Sequence, residues 1–139
     1  MSRQNKLDNR AARIHVVAGI LEDEENRVLI ADRTHSRSMQ DHWEFPGGKV
    51  ITGESATAAL RRELYEELSI EIAAPRLFQR IEHDYADLKV AIDFYRINEW
   101  QGTPAGAEGQ QIKWVEKNSL HRQNLLPADT PVIEALIQQ

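Results

Sequence analysis

Glu63, Glu66 and Glu67 stand at positions i, i+3 and i+4, a few residues after the glycine-rich segment Pro46-Gly47-Gly48. At about 100° per residue this spacing puts all three carboxylates within roughly one third of a helix circumference. Hard carboxylate oxygens gathered on one helix face suit Mg²⁺ or Mn²⁺, ions that use few protein ligands and complete their shells with water and substrate phosphates. The chemistry these residues could do is to hold divalent metal against a phosphate chain. An ordinary solvated acidic face is the competing reading. Against it, Leu60, Leu64 and Leu68 form an i, i+4, i+8 stripe beside the carboxylates, which places the acidic cluster at the edge of the core. Like charges at this spacing cost roughly 0.2–0.5 kcal/mol per pair on an exposed helix, and more where desolvated. A cation must compensate, and both Arg62 and a bound metal qualify.

The elements that would position this cluster are legible in outline. A helix is expected over about Ala56 to Leu68. Residues 14–22 and 27–33 are aliphatic runs separated by Asp23-Glu24-Glu25-Asn26, the pattern of a hairpin or close strand pair. Trp43-Glu44-Phe45 reads as a strand running into a Pro46-Gly47-Gly48 loop whose backbone can approach a ligand. Two further strands are expected over 70–83 and 88–99 around a turn at Tyr85-Ala86-Asp87, and a short one over Ile112-Lys113-Trp114-Val115. Thr130-Pro131 opens a last helix, with Thr130 as its N-cap and Val132, Ile133, Leu136 and Ile137 facing inward. Strands on both sides of a central helix, closed by a second helix, give an α/β/α sandwich around a mixed β-sheet.

Composition bounds the function. At 139 residues and 41% hydrophobic content the chain supports one core. We expect a flexible segment over residues 1–12 and one domain over 13–139. Without cysteine there is neither a disulfide framework nor a thiolate site. The net charge of −5 and the lack of a basic stripe argue against stable nucleic-acid binding. No apolar run is long enough for a signal peptide or a membrane span, so a cytoplasmic protein without membrane association, monomeric or homodimeric, is expected. His15, His35, His42, His83 and His121 show no metal-ligand spacing and read as structural or surface residues.

Gly48, Glu54, Arg62, Glu63, Leu64, Glu66, Glu67 and Ile70 occupy fixed positions of the pattern Gly-x5-Glu-x7-Arg-Glu-U-x-Glu-Glu-x-Gly-U, where U is aliphatic. In this the stretch resembles the signature of the Nudix hydrolases. Ser69 replaces the second glycine, which ordinarily ends the helix in a left-handed turn, so some local stability is lost there. The likeness extends from about Ile14 to Leu136. Its Trp43–Lys49 and Leu126–Ile133 segments are similar to the MutT-like branch, which cleaves nucleoside triphosphates to the monophosphate and pyrophosphate. The resemblance implies a Nudix fold and Mg²⁺-dependent hydrolysis, with Mn²⁺ as a substitute. It implies metal ligands among Gly47, Glu63, Glu66, Glu67 and Glu108, with Arg62 and Lys49 assisting catalysis and Glu54 supporting from the helix entrance. Arg33, Phe45, Gly48, Lys49 and Asp129 are then expected to bind substrate.

The base is left open between 8-oxoguanine, as in nucleotide-pool sanitation by 8-oxo-dGTP diphosphatases, and cytosine, as in CTP or modified-dCTP pyrophosphohydrolases. An ionised Asp129 only accepts hydrogen bonds and favours a donor edge; a protonated one also donates; as a third possibility its side chain merely caps the last helix. Hydrolysis of another nucleoside-diphosphate-linked substrate, or a non-catalytic ligand sensor, are the remaining alternatives.

Overall fold

A computed structural model describes residues 13–138 of the chain; the segment expected to be flexible, residues 1–12, lies outside the described residues. Strand β1 (Ile14–Leu21) is the organising element. It pairs in parallel with β7 (Leu88–Ile97) on one side and antiparallel with β4 (Gly47–Lys49) on the other. With β6 (Arg76–Tyr85) beyond β7, these form a mixed four-stranded sheet in the order β4-β1-β7-β6. A second, antiparallel sheet runs β3-β2-β9, from Trp43–Glu44, Arg27–Asp32 and Ile112–Glu116. A small ladder joins β5 (Glu71–Ala73) to β8 (Glu99–Gln101).

Period-two alternation divides the core into two layers. Ala18, Ile20, Val90, Ile92 and Phe94 face helix α2 (Thr130–Ile137) and its Val132, Ile133 and Leu136. Val17, Leu21, Tyr95 and Ile97 face helix α1 (Ala56–Leu68), whose Ala59, Leu60, Leu64 and Leu68 are wholly buried. Strand β2 serves both layers, Val28 and Ile30 in one and Leu29 in the other. Each buried leucine of α1 contributes roughly 1.5–3 kcal/mol, so the carboxylate face on the same helix is held against a rigid base. Ser55 caps α1, its Oγ accepting from the Ala58 N–H at 3.1 Å.

The α/β sandwich is as expected, and several local expectations are corrected. Of the two arrangements left open for β1 and β2, the structure has the close pair: they meet at the bridge Glu22–Val28 and the Asp23 N–H to Arg27 carbonyl bond, with no hairpin ladder, because both edges of β1 are taken by β4 and β7. The expected mixed sheet is present as β4-β1-β7-β6, and the remaining strands form two further, antiparallel sheets. Gly47-Gly48 is strand, not loop, paired with Ala18 and Val17. The run 70–83 breaks at Ala74, whose φ of 48° ends β5 before β6 begins. The run 88–99 likewise ends at Ile97, and Tyr85 closes β6 rather than sitting in the turn. A 3-10 turn, Pro127–Asp129, leads straight into α2, so Thr130 is its first helical residue and the N-cap position falls to Asp129.

Candidate active site

Two glycines bring β4 against its neighbours. A Cβ on Gly47 would overlap the Val17 carbonyl oxygen, and one on Gly48 would collide with the Glu63 carboxylate. Helix α1 thus packs its acidic face directly on the β4 backbone, and the Gly47 N–H donates to Glu67 Oε2 at 3.0 Å. Arg62 organises the other carboxylates. It donates to both Glu54 oxygens (2.7 and 3.2 Å), to Glu63 and Glu66 (2.9 Å each) and to the Lys49 carbonyl (3.0 Å). These bonds to three carboxylates raise the Arg62 pKa still further. Glu54 also accepts from the Ile51 N–H, tying the segment before α1 to the same arginine.

Glu67 is treated differently. Burial pushes its carboxyl up to about 9, reinforced by the charges of Glu44, Glu63 and Glu108 and opposed only by the Gly47 N–H. Burial also raises Glu63, although Arg62 counters it. Glu67, Glu44, Glu108, Asp32, His35 and Gln110 line one cavity of about 160 Å³. Among the described residues no three carboxylate or imidazole groups already converge in metal-binding geometry. The donor set still fits a divalent cation, since Mg²⁺ is commonly held by one or two carboxylates plus water and substrate phosphates rather than by a full protein cage. A desolvated carboxylate facing three others is the place where such a charge is needed.

A second cavity of about 300 Å³ adjoins the first through Ser36, Glu44 and Glu67. Gly47, Gly48 and the exposed Lys49 form one wall, Phe45 and Ile92 are apolar lining, and Arg33 and Asp129 supply polar groups. A third, mainly apolar cavity of about 480 Å³ continues from it past Val16 and Ile92 to Tyr85, Met39 and Leu88. Phe45 belongs to the core, 4% exposed and edge-on to Phe94 at 6.0 Å. Arg33 is ion-paired to Glu44 and donates to the Ser38 carbonyl at 3.1 Å, leaving its buried Nε without a partner among the described residues.

Asp129 is 3% exposed; its side chain makes no capping bond to α2, and Oδ2 is likewise unpartnered. The cap reading is therefore set aside. Burial raises the Asp129 carboxyl well above the usual aspartate range, with Glu44 adding to the effect and Arg33 opposing it. The shift favours the protonated form, which can both donate and accept.

Of the sequence-predicted residues, Glu67 and Glu108 line the acidic cavity, and Gly47, Gly48, Lys49, Arg33, Phe45 and Asp129 line the adjoining one with Glu67; Glu63 lines neither, its carboxylate packed against Gly48 and bonded to Arg62. Glu66 is turned toward Arg62 and is half-exposed. Sequence reasoning missed Glu44, which lines both parts of this cleft and was visible only as part of Trp43-Glu44-Phe45. His35, read as surface, borders the acidic cavity.

The family model for the NUDIX domain matches residues 16–135. The chain belongs to the Nudix family. An 8-oxo-dGTP diphosphatase from Haemophilus influenzae is 36% identical over 126 residues, covering 91% of this chain and 93% of that one. The CTP pyrophosphohydrolase of Escherichia coli is 32% identical over 124 residues, covering 89% and 91%. A solved MutT structure, from work on the Aliivibrio salmonicida and Vibrio cholerae proteins, superposes with a TM-score of 0.78 at 37% identity, over 91% of this chain and 98% of that one. The matched span contains α1 with Glu63, Glu66 and Glu67, and Glu54 just before it. No helix among the described residues is long and apolar enough to cross a membrane.

Proposed function

We propose that this Nudix hydrolase cleaves nucleoside triphosphates, 8-oxo-dGTP foremost, to the monophosphate and pyrophosphate with Mg²⁺, as a cytoplasmic enzyme of nucleotide-pool sanitation. That it hydrolyses phosphoric anhydride bonds follows from its family and relatives. One observation carries the substrate reading: a single cavity is lined by Glu67, whose carboxylate lacks a counter-charge, and by Arg33 and Asp129, each of which keeps a buried, unpartnered polar atom among the described residues. The first suits a cation with a phosphate chain, the second a polar base edge.

The reaction needs water delivered to phosphorus while negative charge builds on the phosphates, so positioning and charge neutralisation suffice and no protein nucleophile is required. A divalent cation bound at Glu63 and Glu67, with Glu108 and the Gly47 carbonyl as further donors, would acidify water and neutralise phosphate charge. The chain supplies the rest. Arg62 keeps Glu63 and Glu66 oriented, Lys49 neutralises phosphate, and the Gly47-Gly48 backbone lets the phosphates approach closely. Phe45 walls the base pocket with its ring while remaining part of the core.

In the protonated form that its burial favours, Asp129 would match 8-oxoguanine, donating to O6 and accepting from the N7–H that only the oxidised base carries. Unoxidised guanine offers two acceptors there and leaves one polar group unpaired. Cytosine presents the same donor and acceptor pair at N4 and N3, which keeps CTP as the second reading. Incubation of each triphosphate with Mg²⁺ in ¹⁸O-water, followed by ³¹P NMR, tests the proposal. Monophosphate and pyrophosphate, formed only when metal is present, are expected. Inorganic phosphate with a diphosphate, or turnover unaffected by EDTA, would refute it.

A further inference from the structure

The loop between β8 and β9 is docked on the C-terminal end of α1, where helix carbonyls lack intrahelical donors. The Ala105 N–H donates to the Leu68 carbonyl and the Ala107 N–H to the Glu67 carbonyl, each at 3.0 Å. The half-buried side chain of Gln110 adds a two-ended clamp. Its Nε2 donates to that same Glu67 carbonyl at 2.9 Å, and its Oε1 accepts from the Glu108 N–H at 2.9 Å. The partners fix the amide orientation, since a carbonyl must receive the NH₂ and an N–H must find the oxygen. A tight turn closes around it, with Gly109 at φ 88° and its N–H bonded to the Gly106 carbonyl at 3.1 Å. A Cβ on Gly106 would overlap the Gln110 carbonyl oxygen, so the turn has no slack.

One side chain therefore ties the backbone of Glu67 to the backbone of Glu108, two residues 41 positions apart whose carboxylates line one cavity. We propose that Gln110 is a positioning residue: it sets the spacing of the Glu67 and Glu108 carboxylates, and so the affinity of the cleft for divalent cation. The inference rests on the hydrolase reading above; both amide ends of Gln110 are taken by backbone, so it acts through Glu67 and Glu108. Partners that orient ligating groups commonly change metal affinity by about 10- to 100-fold when removed.

Gln110→Leu keeps the bulk and removes both bonds. Gln110→Asn keeps an amide one methylene too short to span both backbones. In either variant Mn²⁺ binding to the nucleotide-free protein, followed by calorimetry or EPR, is expected to weaken about 10-fold or more. The Mg²⁺ concentration for half-maximal turnover should rise by a similar factor, while KM for the triphosphate at saturating Mg²⁺ stays within about twofold. A loop that was only a structural brace would lower Tm and leave both metal readouts in place. Unchanged Mn²⁺ affinity in a folded variant overturns the proposal, as does a wild-type protein that binds no Mn²⁺. If Gln110→Leu does not fold, the Asn variant decides. Wild-type inactivity on every triphosphate, with Mn²⁺ affinity still dependent on Gln110, would sink the substrate reading and leave the clamp standing.

Discussion

Glu22 and Glu67 are both carboxylates removed from much of the solvent, and the molecule handles them in opposite ways. Glu22, at the end of β1, is 8% exposed and is met by Arg96, with bonds of 2.6 Å to each oxygen, and by Lys117. Burial alone would raise its pKa, but hydrogen bonds and charge from Arg96 and Lys117 outweigh that and hold it below the ordinary range. Glu67 meets the same desolvation with other carboxylates around it and rises to about 9. A carboxylate with two cations is built for the fold; one left among like charges beside a cavity is built for something that arrives. Perturbed titration marks a functional site only when the partner required to relieve it is absent from the protein itself.

Exchanging the two carboxylates for amides should separate the roles. Glu67→Gln and Glu63→Gln are each expected to reduce kcat by about three orders of magnitude or more in steady-state assays, without loss of Tm, because an amide removes the cost of a desolvated ionisable group among the remaining carboxylates. Glu22→Gln should show the reverse, costing about 3 kcal/mol in denaturant unfolding, since Arg96 and Lys117 are left without their counter-charge, with kcat unchanged. If Glu22→Gln abolished turnover, or Glu67→Gln unfolded the protein, the contrast would fail.

Asp129 sharpens it further, as a carboxyl whose burial favours the protonated form. Asp129→Asn preserves a donor beside an acceptor and should keep kcat/KM for 8-oxo-dGTP within about threefold, whereas Asp129→Ala should lose ~10- to 100-fold, the scale of one or two buried hydrogen bonds. Equal losses in both variants would mean that Asp129 acts as an ion.

The smallest effect is expected at the end of α1. Ser69 holds the left-handed conformation, φ 58° and ψ 38°, that the family pattern gives to glycine. Ser69→Gly should therefore stabilise the protein by about 1 kcal/mol, roughly 3 °C in Tm by calorimetry, with no change in kcat.

The signature helix was legible because its chemistry is local: the i, i+3, i+4 carboxylates, the leucine stripe and Arg62 all lie within three turns, and spacing alone fixes their faces. Arg33, Phe45 and Asp129 entered through the resemblance, and the cleft does gather them. What spacing could not give is long-range. Whether β1 accepts β2 or β7 depends on competition with a strand 76 residues away in register. Glu44 was hidden for the same reason, because its neighbours Arg33, Glu67 and Asp129 come from three other elements. Gln110 was hidden because both of its bonds go to backbone atoms of residues that the sequence shows only as acids. The break at Ala74 does have a local signal, the following Pro75, which a continuous-strand reading of 70–83 passes over.

Stability against pH, measured on the metal-free protein and on Glu67→Gln, tests most directly whether Glu67 lacks a counter-charge. A carboxyl raised from 4.5 to about 9 on folding binds a proton in the native state that the unfolded chain has released. Its contribution is present below pH 4.5 and is lost as pH rises toward 9. Glu22, lowered on folding, contributes above pH 4.5 and loses its contribution as pH falls through its depressed value. Denaturant unfolding of the wild type should therefore show stability declining between pH 5 and 9, on the order of 1 kcal/mol or more, with Mg²⁺ restoring it at the alkaline end. Glu67→Gln should remove the Glu67 share of that decline, leaving the slopes from Glu63, Glu44 and Asp129. A wild type that gains stability toward pH 9 without metal, or a Glu67→Gln profile parallel to it, would contradict the account.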